Sequence, residues 1–220
     1  MYRLNDFSLF KYLSDKEKTE LQTKSMMAEF KKGETIIKKG TLNSQIGLLV
    51  EGFARLYAED GSFKRIIDII KPNWLIAILS LFNEKSYNVS VSAVTDCKII
   101  FIPKTLIEKL IRNNGIFAEK FTETQAMIAN RYIQFLAFQN QKNVRGRIAE
   151  VLIYLSEYIY NSPEFHQTIS RREMAYFANT TIETVIRILS EFKKDGLIDI
   201  TNKRISIKNI QLLKRLQSIG

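Results

Sequence analysis

The chain has 220 residues, 45% apolar and 25% charged, the make-up of a soluble folded protein and not of a disordered one. Its 33 basic against 23 acidic side chains leave a net charge of +10 and a pI near 9.6, which favours a polyanionic partner, nucleic acid ahead of an acidic membrane surface. A single cysteine, Cys97, excludes an internal disulfide and an iron-sulfur or zinc cluster, and a single histidine, His166, makes general-base catalysis a poor fit.

The N-terminal stretch lacks a signal-peptide core and no run of about 18 apolar residues follows, so a cytoplasmic protein without membrane attachment is expected. Leu13 to Met27 reads as a short amphipathic helix that Ser14 caps. Five of the nine glycines (Gly33, Gly40, Gly47, Gly52 and Gly61) then fall within 29 residues. They punctuate β-type runs at Thr35 to Lys38, Ile46 to Val50, Ala54 to Tyr57 and Arg65 to Ile70, and two more runs follow at Val89 to Val94 and Lys98 to Ile102. Short strands at this spacing predict a compact barrel or sandwich, with Asp60-Gly61 as a hairpin turn. Pro103 marks the return to helix.

One long helix is predicted from Ile116 to Phe138. Phe117, Phe121, Thr124, Ile128, Arg131, Phe135 and Phe138 recur at intervals of 4, 3, 4, 3, 4 and 3, a heptad seam that pairs with a second helix. The other reading of the same stripe is that it covers the β domain of its own chain. Arg131 is a defect in either setting, its partner being a carboxylate or an effector.

Residues 141 to 220 hold 13 basic and 8 acidic side chains, the same net +5 that residues 1 to 140 reach with 20 and 15, so positive charge is densest here. Ser170 and Glu173 have the spacing of a capping box and open a short helix whose apolar face is Met174, Ala175, Phe177 and Ala178. Asn179, Thr180 and Thr181 interrupt it. A second helix buries Val185, Ile188, Leu189 and Phe192 and ends at Lys193, Lys194, Asp195 and Gly196. Ile182, Glu183, Thr184, Ile186, Arg187 and Ser190 are left outside. In a major groove Arg donates to guanine, Glu accepts from the cytosine amino group and Ile meets a thymine methyl. An i,i+4 Glu183–Arg187 salt bridge, with Thr180 and Glu183 as a second capping box, is the plainer alternative. Leu197 to Ile207 then alternates around Thr201, Asn202, Lys203 and Arg204, a hairpin with a basic tip. Helix, turn, helix and hairpin is the order of a winged helix-turn-helix.

With these segments in order, the chain resembles the Crp/Fnr superfamily of bacterial transcription regulators. FKKGETIIKKGTLNSQIGLLVEGFARLYAEDGSFKRIIDIIKP is similar to the family's β-roll, VRGRIAEVLIYL to the segment after its dimer helix, and ISRREMAYFANTTIETVIRILSEFKKDGLI to its DNA-reading motif. The resemblance implies an α+β chain: a cupin-like β-roll of the cyclic-nucleotide-binding type at 1–115, a dimerisation helix and hinge at 116–143, and a winged helix-turn-helix at 144–220. It implies double-stranded DNA, a second copy of the chain and RNA polymerase as partners. It places Ile182, Glu183, Thr184, Ile186 and Arg187 in the groove and Ser170 and Arg171 on phosphate; Arg172, Lys203 and Arg204 are read as further phosphate contacts. Dimerisation falls to the seam, Phe117 to Phe138, with effector-dependent reorientation about Asn140 to Arg145. Glu183 and Arg187 match the pair that reads a G·C base pair, while Ile182 stands where the cAMP-responsive branch has Arg, which points to a TGA core with a thymine near Ile182.

The effector segment departs from the family. Cyclic-nucleotide-binding members carry Gly-Glu and an Arg where this chain has Ala77, Ile78 and, near the end, Tyr87 followed by Asn88, so cAMP and cGMP are not expected as ligands. Trp74, Phe82 and Tyr87 are read as core packing around the vacated site. No cofactor or metal site is expected; for haem the candidate ligands are Met26, Met27, Met127, Tyr and Cys side chains, His166 being read as a surface loop residue. The alternative function is a ligand-binding signalling protein whose C-terminal domain mediates protein contacts. An enzyme is set aside, since no catalytic triad, metal-spaced cluster or phosphate loop is present.

Overall fold

A computed structural model describes residues 7–60, 63–82, 85–139 and 143–219, the side chains of 60, 63, 64, 134–139 and 219 excepted. The chain forms two compact units, Met1–Leu56 with Ile70–Ile133, and Tyr57–Ile69 with Gln134–Gly220.

In the first unit Ser14 caps α1 (Asp15–Lys24) through a capping box, its backbone N–H donating to the Glu17 carboxylate at 2.8 Å. The expected helix to Met27 is corrected. Ser25 turns extended, and Met26 and Met27 open β1 (Met26–Phe30), which pairs antiparallel with β8 (Cys97–Pro103), Met26 opposite Phe101. A helix that buries only Leu21 gains little by continuing, whereas pairing satisfies the backbone of β8. One sheet is ordered β1-β8-β3-β6, with β3 at Gln45–Glu51 and β6 at Leu75–Ile76. The other is ordered β2-β7-β4-β5, from Thr35–Ile37, Ser90–Ala93, Ala54–Asp60 and Phe63–Ile70. The expected runs are thus all found as strands, and the turn residue Gly61 lies outside the described residues.

Gly52 holds the turn between β3 and β4. Its φ is +85°, and a Cβ there would come within 2.1 Å of the Asp96 carbonyl oxygen and 2.8 Å of Thr95 Oγ1. Phe53 N–H donates to that same Thr95 hydroxyl at 2.8 Å, so the two turns are locked together and neither yields easily. Gly52→Ala therefore combines left-handed strain with a backbone collision and is expected to cost at least about 2 kcal/mol in urea unfolding.

Pro103 precedes α2 (Lys104–Asn113), and α3 (Gly115–Gln139) follows. Here the first residues of the seam are buried within the chain itself. Phe117 and Phe121 are fully buried in a core with Phe10, Leu21, Leu48, Ile102 and Leu110, and the Phe117 ring lies 6.4 Å from that of Phe10. Ile128 packs against the same core, and Thr124 and Arg131 are half-buried. The side chains of Phe135 and Phe138 lie outside those described. A heptad stripe specifies a buried face but not what buries it, and in this chain the β-roll takes the first half of the stripe. Of the aromatic group at the effector segment, Tyr87 is buried as expected and Trp74 is half-buried, whereas Phe82 is corrected: it is 53% exposed and does not pack in the core.

In the second unit Asn143 caps α4 (Val144–Tyr154), accepting from Gly146 N–H at 2.9 Å, and a π turn, Leu155–Tyr160, extends it. Residues 140–142 of the expected hinge lie outside the described residues. Then come β9 (Glu164–His166), α5 (Arg171–Phe177), α6 (Ile182–Lys194), β10 (Ile198–Thr201), β11 (Arg204–Ile207) and α7 (Ile210–Ile219). The core is built from Phe165, Phe177, Val185, Phe192, Ile205 and Leu213. The β4–β5 segment of this unit contributes the buried Asp68, whose carboxylate accepts from the Tyr154 hydroxyl. His166 is exposed, as expected, but lies in a strand and not a loop: β9 adds to the hairpin as a third strand, His166 opposite Arg204. That pairing joins residues far apart in sequence, so no local pattern announces it.

Among the described residues no helix is long and apolar enough to cross a membrane, and no group of three His, Cys, Asp or Glu side chains is placed to hold a metal.

Candidate nucleic-acid interface

The expected capping box at Ser170 is present. Glu173 N–H donates to Ser170 Oγ at 3.2 Å and Ser170 N–H to the Glu173 carboxylate at 2.6 Å, which fixes where α5 starts. Asn179 in the turn has φ +49°, a left-handed geometry that Asn tolerates better than most residues. The cap of α6 is Thr181, accepting from Thr184 N–H at 3.2 Å, so Thr180 and Glu183 do not form the second capping box.

Val185, Ile188, Leu189 and Phe192 are buried beneath α6, while Glu183, Ile186, Arg187 and Ser190 are exposed and Ile182 and Thr184 are half-exposed. Ile186 stands 51% exposed, against the hydrophobic effect, on a helix whose other face is fully used. Hydrogen bonds from its own backbone amide, then from Thr181, hold the Glu183 carboxyl below its usual range, so it is an acceptor at neutral pH.

Arg187 does not pair with Glu183. Its Nη1 lies 2.5 Å from Glu191 Oε1, one turn onward, and Arg145 of α4 meets the other oxygen of Glu191 at 2.8 Å. This arrangement makes Arg187 available at small cost: it is 64% exposed, an exposed pair contributes about 0–1 kcal/mol, and Arg145 remains on Glu191 when Arg187 leaves. The motif therefore presents a carboxylate acceptor and a guanidinium donor side by side, each able to face a base edge.

The expected phosphate contacts divide by environment. Ser170, Arg172, Lys203 and Arg204 are exposed; Arg171 is half-buried beside Met174 Sδ at 3.6 Å, and burial lowers its pKa. Arg204 pairs with Glu164 at 2.9 Å, a contact that its strand neighbour β9 imposes. Asn202 and Lys203 form the two-residue hairpin turn with φ of +49° and +64°, which points the Lys203 backbone outward at the tip.

Two residues outside the expected set hold this surface in place. Arg147 Nε donates to the Ala178 carbonyl at 2.7 Å and its Nη2 to the Asn179 carbonyl at 3.2 Å, closing the end of α5 and the turn. Arg145 joins α4 to α6 through Glu191 and through Asp195 at 2.5 Å. Their charge is visible in the sequence, but their targets, a pair of carbonyls for Arg147 and two carboxylates for Arg145, lie 31 to 50 residues away and are tertiary facts.

A β-roll, a long helix and a winged helix-turn-helix with a polar and apolar outer stripe define a DNA-binding transcription regulator. Comparison with known proteins agrees over most of the chain. Residues 27–114 match the model of the cyclic nucleotide-binding domain and residues 146–216 that of the Crp-like helix-turn-helix domain. The chain is 25% identical over 186 residues to the transcriptional activator protein FnrA of Stutzerimonas stutzeri, covering 80% of this chain and 74% of that one. It is 27% identical over 187 residues to the HTH-type transcriptional regulator ArcR of Staphylococcus aureus, covering 80% and 77%. The fold is shared with FixK2 from Bradyrhizobium japonicum, at TM-score 0.80 and 20% identity over 87% of this chain and 96% of that one. It is also shared with a Crp/Fnr family regulator from Eubacterium rectale, at 0.76 and 19% over 97% and 99%. The chain belongs to the Crp/Fnr superfamily.

Proposed function

We propose that this regulator binds a palindromic operator as a homodimer and does so without cAMP or cGMP. The observation that carries the reading is the outer stripe of α6: one helix face is fully buried, and the other offers Ile182, Glu183, Thr184, Ile186 and Arg187 to a major groove. Ser170, Arg171, Arg172, Lys203 and Arg204 hold the flanking phosphates, and the half-site has a TGA core with a thymine near Ile182. One copy reads half a site, so a second copy set about 34 Å away along B-DNA completes it.

With Phe117 and Phe121 used inside the first unit, the pairing face of α3 is the opposite one. Thr122, Ala126, Ala129 and Ile133 follow there at heptad spacing, with Ile133 62% exposed and small residues that let two helices approach closely. RNA polymerase is the partner through which such a dimer acts on transcription.

The cyclic-nucleotide reading is disfavoured by what occupies the family's ligand positions. Ile78 is buried, and Tyr87 is buried with its hydroxyl donating to the Gln45 carbonyl at 2.6 Å, so neither a ribose acceptor nor a phosphate cation stands there. Addition of 1 mM cAMP, on the order of a thousandfold above a micromolar site, is expected to leave operator affinity unchanged within twofold. A titration of palindromic and scrambled duplexes tests the rest: preference for the palindrome with two chains per duplex is expected, and equal binding of both overturns the reading. In the same titration Lys203→Ala should flatten the logarithmic salt slope by about 1 without altering sequence preference.

A further inference from the structure

One carboxylate of the second unit is shared by two arginines. Glu191 of α6 meets Arg187 through Oε1 at 2.5 Å and Arg145 of α4 through Oε2 at 2.8 Å. The two guanidiniums are held differently. Arg145 is half-buried, pairs also with Asp195 through Nη2 at 2.5 Å, and has its guanidinium carbon 5.0 Å from the ring centroid of the fully buried Phe192. Arg187 is 64% exposed, and its ionic partner among the described residues is Glu191. Arg145 is thus fixed at points other than Glu191, whereas Arg187 is free to swing once Glu191 lets it go.

A guanidinium that rests on a carboxylate must leave it before it can reach a guanine, and how firmly it is held depends on what else the carboxylate holds. Arg145 takes the second oxygen of Glu191, so its charge offsets the attraction that Glu191 exerts and repels Arg187 across the same group. When Arg187 departs, Arg145 keeps Glu191 neutralised. No bare carboxylate is then left beside the phosphates of a bound duplex. Both effects make the move cheaper, and both vanish with the Arg145 charge.

We propose that Arg145 sets base specificity from outside the groove: as a positioning residue on α4 it occupies Glu191, so that Arg187 is released to read guanine. This role rests on the reading of α6 as the groove helix and adds to it a residue that touches no base. It also gives a reason for the two ion pairs to meet on one carboxylate. A pair between Arg187 and Glu191 by itself would hold the reading residue back, and Arg145 turns that hold into a resting place.

The quantity to measure is discrimination: the affinity of the full-length protein for the palindrome divided by that for the same duplex with the G·C pair of the TGA core replaced by A·T in both halves, at one salt concentration. A ratio taken on one preparation does not depend on the fraction that is folded. The parent protein is expected to discriminate by at least about tenfold. Arg145→Ala is expected to lower the ratio by about threefold or more over the two half-sites, the scale of an exposed ion pair strengthened in each. Glu191→Gln removes the charge that holds Arg187 and is expected to raise the ratio by about the same factor. Adding Arg145→Ala to Glu191→Gln should then change it by less than about twofold, since nothing is left to compete for. If Arg145 only braced α6 on α4, both single variants would break that brace and lower the ratio together. The proposal is overturned if Arg145→Ala discriminates like the parent, if Glu191→Gln discriminates less well than the parent, or if Arg145→Ala lowers the ratio as much in the Glu191→Gln background as alone. A parent protein that does not discriminate overturns the groove reading itself, and the role of Arg145 with it.

Discussion

Arg187→Ala is expected to lose about 1–3 kcal/mol of operator binding per half-site, the worth of a bidentate base contact, and to relax preference at one G·C pair in each half. The fold should tolerate the change. Arg187 is 64% exposed, its partner Glu191 keeps Arg145 at 2.8 Å, and the cap of α6 is Thr181 and not a group that Arg187 supports. Unfolding stability is therefore expected to stay within about 0.5 kcal/mol of the parent. The comparison that decides the matter is specific against scrambled duplex, measured at one salt concentration. Loss confined to the palindrome identifies a base-reading residue, whereas an equal loss on both would reduce Arg187 to a phosphate contact. Glu183→Gln complements it: the carboxylate held ionised by its backbone and Thr181 hydrogen bonds becomes an amide that both donates and accepts, so selectivity for the cytosine amino group should fall.

The parts of the chain that were legible from sequence are those fixed by groups a few residues apart. Ser14 with Glu17, and Ser170 with Glu173, announce two helix starts because each box satisfies backbone donors within a single turn. Gly196 beyond α6, at φ +71°, and the Asn202-Lys203 turn work the same way. The buried face of α6 was readable because its period is geometric. What sequence did not settle needed a distant partner. Thr181 caps in place of Thr180 because the turn admits only one of them at the extended position, φ −91° and ψ 161°. The strand β9 exists because β11 lies beside it, and α7, capped where Leu212 N–H donates to Asn209 Oδ1 at 3.0 Å, is held against α4 through Leu213 and its neighbours. Arg147 looks like any basic residue until the carbonyls of Ala178 and Asn179 are in place. In the candidate interface, residue types and outward stripe were legible; that Glu191 is shared by Arg187 and by Arg145, 46 residues before it, was not.

The stripe on α3 yields the sharpest separation of stability from assembly. Phe117 is fully buried against Phe10 and Phe121, so Phe117→Ala removes a ring from a packed core and is expected to cost about 3–5 kcal/mol in urea unfolding. Had that ring faced a second chain, the loss would appear as dissociation into folded monomers. On the opposite side, Ala126→Glu with Ile133→Glu adds two carboxylates to an exposed face, where the first unit has no packing to lose. Across a parallel pair of helices these charges confront their own copies, which opposes association without affecting the β-roll. The double variant is therefore expected to sediment as a monomer with the unfolding midpoint of the first unit preserved, and to bind a half-site duplex as weakly as the full palindrome. If it remains dimeric at micromolar concentration, Thr122 to Ile133 is not the pairing face and the two recognition helices are brought together elsewhere. If instead Phe117→Ala yields folded monomers, the aromatic seam itself joins two chains.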